Sequence, residues 1–200
     1  DNQNVYTFGN INGTIDQERI AIIDIFDVME LVDILLNDNQ ESCGSEIADM
    51  NSDGNQNVVD IIFLVQMLLG GDFESLTSYD PGLFEIDNNG IDTKISISND
   101  SKIGGFQFTT SLGEVSENDL SSLNLPTGWV VEYVVNNQNI NVLIFDISGQ
   151  NSVETLDLNF SSVSSNSFQN IVLANGNAQQ IEYTIMEKAT EQIDISPEDY

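Results

Sequence analysis

The sequence predicts a multi-domain α and β protein. A small α-helical unit over 1–71 is joined by a linker over 72–82 to an all-β sandwich over 83–187, with an acidic tail over 188–200. Three observations predict it. Before Gly71 apolar residues recur at helical spacing in two runs, and after Leu83 they alternate with polar ones. Between the two patterns, D-F-E-S-L-T-S-Y-D-P-G at Asp72–Gly82 follows neither period and ends in a turn signal.

The helical runs are copies of one another. D-V-M-E-L-V-D-I-L-L at Asp27–Leu36 aligns without a gap on D-I-I-F-L-V-Q-M-L-L at Asp60–Leu69, which marks an internal duplication. At about 100° per residue, Val58, Ile61, Val65, Leu68 and Leu69 share one face. That face is expected to pair with Val28, Leu31, Val32, Leu35 and Leu36 of the first copy. Val59, Phe63 and Met67 fall on the opposite side, and a helix apolar on both sides must be covered on both. These three are the expected interface residues toward a partner, with cover by the chain itself as the alternative.

A loop precedes each helix. Asp49–Asp60 reads D-M-N-S-D-G-N-Q-N-V-V-D, with oxygen-bearing side chains at Asp49, Asn51, Asp53, Asn57 and Asp60. Gly54 sits where the chain must reverse, and Asn55 stands where a backbone carbonyl is used. This is the spacing of a calcium loop of the EF-hand type: a hard cation takes about 6–8 oxygens, and a short loop supplies them only by coiling round it. The last position is Asp60 rather than glutamate, so its helix must start closer to the ion. The earlier loop is degenerate. Asn10, Asn12 and Thr14 occupy the first positions, and an insertion separates them from Asp24 and Asp27, with Asp16 or Glu18 available as substitute ligands. Fewer carboxylates predict weaker binding there.

Two loop–helix copies of this kind resemble a dockerin domain. The resemblance covers Tyr6 to Gly71 and rests on A-D-M-N-S-D-G-N-Q-N-V-V-D-I-I-F-L-V-Q-M-L-L, on the fainter G-N-I-N-G, and on aspartate at Asp27 and Asp60. Gln56 departs from the aliphatic residue that the family prefers. The resemblance implies calcium-dependent docking onto a cohesin, a β-sandwich module, in extracellular assemblies.

Strands are predicted at Leu83–Ile86, Thr93–Ser98, Ile103–Thr110, Trp129–Val135, Ile140–Ile147, Val153–Phe160, Phe168–Leu173 and Gln179–Met186. Phe106, Phe108, Trp129, Val131, Tyr133, Val142, Ile144, Leu156, Leu158 and Phe160 are the expected core. On I-G-G-F-Q-F at Ile103–Phe108 and L-D-L-N-F at Leu156–Phe160, this part resembles a jelly-roll, cohesin-like sandwich. A carbohydrate-binding or immunoglobulin-like sandwich is the alternative. D-N-N-G at Asp87–Gly90 reads as a hairpin turn.

Charge narrows the function. The net charge is −29, with Arg19, Lys94, Lys102 and Lys188 the four cations, which disfavours nucleic acid and anionic membranes. No apolar stretch reaches the length of a membrane span. With no histidine and a lone Cys43, a histidine triad, a histidine-ligated zinc and an intrachain disulfide are excluded. No nucleophile–base constellation appears, so the protein is expected not to be an enzyme. Asn12, Asn99 and Asn159 head glycosylation sequons, and a glycan on Asn12 excludes its ligand role. The chain begins at Asp1, as a processed secreted protein does. The expectation is an extracellular or cell-surface, calcium-binding, non-catalytic assembly protein. Its helical module docks onto a β-sandwich, that of the next copy giving a head-to-tail filament. The alternative is an ancillary carbohydrate-binding or docking fragment of a larger secreted enzyme or adhesin.

Overall fold

One long strand connects the layers of the sandwich. In the computed structural model, which describes residues 6–37, 44–71, 81–89, 91–161 and 163–188, β2 spans Asp92–Ser111. Its first half pairs with β1 (Gly82–Asn88) and β5 (Val153–Ser161). Its second half pairs with β4 (Asn139–Asp146) and β6 (Gln169–Asn175). The register slips between Ser98 and Ile103, where Lys102 adopts φ 60°. A bulge of this kind bends a strand and lets it change layers. The two strands expected at Thr93–Ser98 and Ile103–Thr110 are therefore one. The last expected strand is two, β7 (Gln180–Ile181) beside β6 and β8 (Tyr183–Lys188) parallel to β1. The outer strand β3 (Trp129–Asn136) pairs with β4.

The expected core is the observed one. Phe106, Phe108, Trp129, Val142, Ile144, Leu156, Leu158 and Phe160 are buried in one cluster, with Val131 and Tyr133 packed on it. Four phenylalanines interlock there. Phe108 stacks on Phe106 at 4.9 Å between centroids and meets Phe160 and Phe168 edge-on, geometries that ring quadrupoles favour.

A short helix, α3 (Glu117–Ser121), is tied to this core by one carboxylate. Asp119 Oδ2 accepts the Ser116 N–H at 2.9 Å, and Oδ1 accepts the Ser161 N–H at 3.1 Å and hydroxyl at 2.6 Å. Burial pushes this carboxyl up, but the bonds from Ser116 and Ser161 outweigh it and hold it down at about 2. A lowered folded pKa stabilises above the ordinary carboxylate range and loses that contribution as pH falls through the folded value. Asp119→Asn is expected to cost about 2 kcal/mol at neutral pH. The difference from the parent should shrink between about pH 4 and pH 2, the window set by the lowered pKa. Urea denaturation across that range checks it.

The two helices of the duplication, α1 (Ile25–Asn37) and α2 (Val58–Leu68), lie on the outer face of β3, β4, β6 and the second half of β2. Val28, Leu31, Ile34, Ile61, Leu64 and their neighbours form one cluster with Leu143, Phe145 and Ala174 of the strands. The helical unit and the sandwich thus share a core. The change of pattern falls at 72–82, of which 72–80 lie outside the described residues.

The face expected to meet α1 also reaches the sandwich: Val58 approaches β2, and Val65 and the half-exposed Leu69 approach the turn at Gly149 that follows β4. A methyl group on Gly105 would lie 2.6 Å from Val58 Cγ2, and one on Gly149 would lie 2.4 Å from Leu69 Cδ1. A glycine within a strand marks close approach of another element, and Gly105 of β2 is such a seat. Side-chain amides pin the contact. Gln107 Oε1 accepts the Val58 N–H at 2.9 Å, Gln66 Nε2 donates to the Gly149 carbonyl at 2.9 Å, and Asn141 Nδ2 donates to the Leu36 carbonyl at 3.1 Å.

Candidate calcium loops and docking surfaces

Four bonds of the duplication recur in both loops. In the second loop Asp60 Oδ1 accepts the N–H of Asn51 at 3.2 Å and Oδ2 that of Asn57 at 2.9 Å. In the first, Asp27 Oδ1 accepts the N–H of Asn12 at 3.0 Å and Oδ2 that of Asp24 at 2.8 Å. Asn51 caps the Asp53 N–H as Asn12 caps that of Thr14, and Asn57 caps Val59 as Asp24 caps Phe26. Each closing aspartate is fully buried and holds its loop against the start of its helix.

The second loop is coiled by its own side chains. Asp49 receives the N–H groups of Asp53 and Gly54 at 3.1 and 2.9 Å, which wraps the loop round its first residue, and Gly54 makes the reversal at φ 89°. Asp53 Oδ1 accepts the Asn55 N–H at 2.8 Å. Gln56 reaches out instead, its Nε2 donating to the Ser45 carbonyl at 2.7 Å.

The donor types fit a hard cation: three carboxylates and amide oxygens on one short loop. Burial raises the Asp60 carboxyl to about 6, with the charge of Asp49 adding to the rise against the N–H bonds of Asn57, Asn51 and Met50. A nearby divalent ion would reverse that penalty. Asp60 also serves the backbone, since its oxygens take a further N–H from Met50 at 2.8 Å. Among the described residues no three histidine, cysteine, aspartate or glutamate side chains form a ready-made metal cluster. An ion here would need the amide and carbonyl oxygens of Asn51, Asn55 and Asn57.

In the first loop the insertion is a small hairpin. Ile15 bridges Ala21, and Asp16 Oδ1 accepts the N–H groups of Glu18 and Ile20 at 2.9 and 2.8 Å. Asp16 is thereby engaged in the hairpin turn. Asn10 is buried and donates through Nδ2 to the Thr14 carbonyl at 2.9 Å.

Of the interface residues expected on α2, Val59 is fully buried, and Phe63 and Met67 are half-buried against their own chain. Phe63 meets the Phe8 ring edge-on at 6.0 Å, and the Met67 methyl reaches to Gly9. The N-terminal segment therefore occupies the face expected to meet a partner. The exposed apolar surface lies elsewhere. Ile20, Ile22, Ile23, Ile25, Phe26 and Met29, with Phe8, are 37–62% exposed. Its signal in the sequence is A-I-I-D-I-F at Ala21–Phe26, whose last three residues align with Asn57–Val59 of the second copy.

Of the sequons, Asn159 is exposed. Asn99 is 8% exposed and its Oδ1 accepts the Ser101 N–H at 2.9 Å, so a glycan there would displace a built turn. Asn12 carries the turn to Thr14 described above. At Asp87–Gly90, Asn89 Oδ1 accepts the N–H groups of Ile91 and Asp92, both at 2.9 Å, as in a hairpin turn. Cys43 and the tail at 189–200 lie outside the described residues.

The sequence matches no family model and no curated protein. The β-sandwich is distantly similar to that of a non-cellulosomal cohesin from the hyperthermophilic archaeon Archaeoglobus fulgidus. The identity is 14% over 56% of this chain and 94% of that one, with a TM-score of 0.35. The chitin-binding domain of a chitinase from Pyrococcus furiosus is similar at 12% identity over 50% of this chain and 97% of that one, TM-score 0.27. The solution structure of the chitin-binding domain of the hyperthermophilic Pyrococcus furiosus chitinase gives 14%, 54%, 98% and 0.26. The likeness is to a β-sandwich and covers about half of this chain. Among the described residues no helix is long and apolar enough to cross a membrane.

Proposed function

We propose that the protein is a non-catalytic, calcium-binding extracellular assembly module that docks onto a β-sandwich module through the apolar surface around Phe26. The observation that carries this reading is the exposure of seven large apolar side chains at Phe8 and within Ile20–Met29, in a chain of net charge −29. Exposed apolar patches of this kind mark interaction sites. The helix pair is already seated on its own sheet, so a further partner must use the surface left over. Calcium in the second loop would stiffen the start of α2, against which the N-terminal segment carrying Phe8 packs.

The carbohydrate-binding alternative is less well supported. Sugar rings stack on exposed aromatic faces, and the exposed aromatic side chains among the described residues are Tyr6, Phe8 and Phe26, none on the sandwich. Docking onto a second copy is the version that needs no added component. Sedimentation over a concentration series, with calcium and with chelator, tests it. The parent is expected to associate with calcium, and Phe26→Asp, a change at a site 62% exposed, to stay monomeric with its melting temperature unchanged. A parent that stays monomeric at every concentration with calcium removes self-assembly and leaves docking on another protein's sandwich.

A further inference from the structure

A second surface lies between α1 and the outer strand β3. It is a groove of about 330 Å³ whose apolar lining includes Val28 and Val32 of the helix, Val130 and Val134 of the strand, and Phe145 and Ile147 beside them. Two features bear on what fits it. Among the described residues β3 pairs with β4 alone, so its other side presents main-chain donors and acceptors along Trp129–Asn136. Among the described residues the charged side chains that line the groove are both acidic, Asp33 from α1 and Glu132 from the row that Val130 and Val134 share. No lysine or arginine lines it.

An inward-pointing charge on an outer strand discourages unspecific pairing. Glu132 does this selectively. It opposes an apolar or acidic strand and favours one that brings a cation to it. The segment of this chain beyond β8, A-T-E-Q-I-D-I-S-P-E-D-Y at 189–200, alternates weakly but carries four acids and no cation. Charge therefore argues against the tail, its own or a copy's.

We propose that the groove takes an extended segment of a different protein, added along β3, whose groove-facing row, every second residue, alternates aliphatic side chains with lysine or arginine. Main-chain bonds to β3 supply affinity, the aliphatic residues fill the groove over Val130 and Val134, and the cations meet Glu132 and Asp33. It shares with the docking reading above only the premise that the protein binds others. Met29 apart, the groove uses none of the residues around Phe26, and it does not depend on calcium.

The test uses the full chain and two synthetic peptides of equal composition, one with valine and lysine alternating at every second position and threonine between them, the other with the same valines and lysines in separate blocks. Binding is followed by titration calorimetry in physiological salt. The alternating peptide is expected to bind at least about tenfold more tightly than the block peptide. Glu132→Lys is expected to remove about tenfold of that affinity, and Glu154→Lys, the same charge change on β5, less than about twofold. Both sites are exposed, so both variants should fold. Equal binding of the two peptides, or equal loss in the two variants, would show unspecific attraction of a polycation and overturn the proposal. So would no binding. Because the peptides bypass self-association, failure here leaves the sedimentation result untouched, and the reverse holds.

Discussion

Asp60→Ala is expected to destabilise the protein by upward of about 3 kcal/mol, because three N–H donors lose their acceptor and an unsatisfied buried donor costs about 1–3 kcal/mol. Those donors are Met50, Asn51 and Asn57, and the first and last are buried. The loss should appear with calcium and with chelator alike, since it comes from the scaffold. Asp53→Ala is the counterpart. Asp53 is exposed and bonds within the loop, so its replacement should leave stability in chelator nearly unchanged while removing the rise in melting temperature that calcium confers on the parent. An Asp53→Ala protein that gains as much from calcium as the parent would remove calcium from this loop.

The pH dependence has a definite sign. Burial raises Asp60 to about 6, so the folded state holds its proton more tightly than the unfolded chain does. The contribution to stability is complete below the ordinary carboxylate range and is lost as pH rises through the folded value. In chelator the parent should therefore melt higher at about pH 5 than at about pH 7. Calcium favours the ionised carboxylate and should flatten or reverse that trend.

Gly149→Val should separate the helix pair from the sheet. Gly149 has φ 62°, where a β-branched residue is strained, and its added Cβ would lie 2.4 Å from Leu69 and 2.9 Å from Val65. Left-handed backbone costs about 1–2 kcal/mol and overpacking about 1–3 kcal/mol, so a loss near 3 kcal/mol is expected in urea denaturation. Gly113→Ala is the control, because no atom lies within 4 Å of its added Cβ, and it should change little. A Gly149→Val protein as stable as the control would mean that the end of α2 does not pack closely on this turn. The same packing bears on dissection. A fragment starting at Leu83 would bare Val130, Leu143, Phe145 and Val172, so it is expected to aggregate rather than behave as a free sandwich.

What could be read from the sequence was whatever local pattern specifies. The helical period over Asp27–Leu36 and Asp60–Leu69, the alternation that placed Phe106, Phe108, Leu156 and Leu158 inward, and the calcium-loop spacing of Asp49–Asp60 all depend on residues close in the chain. The equivalence of Asp27 and Asp60 was legible too, because both close their loops by the same pair of bonds. Where α2 would lie was not. A helix apolar on nearly every side is consistent with several orientations, and the observed one is selected by residues distant in sequence, the close approaches at Gly105 and Gly149 and the amide bonds of Gln107 and Gln66. One hint was present in V-L-I-F at Val142–Phe145, apolar at both parities, as in a strand covered on both faces. It says that something covers β4 and not what, since burial is non-directional and the covering partner is chosen by shape between segments far apart in the chain.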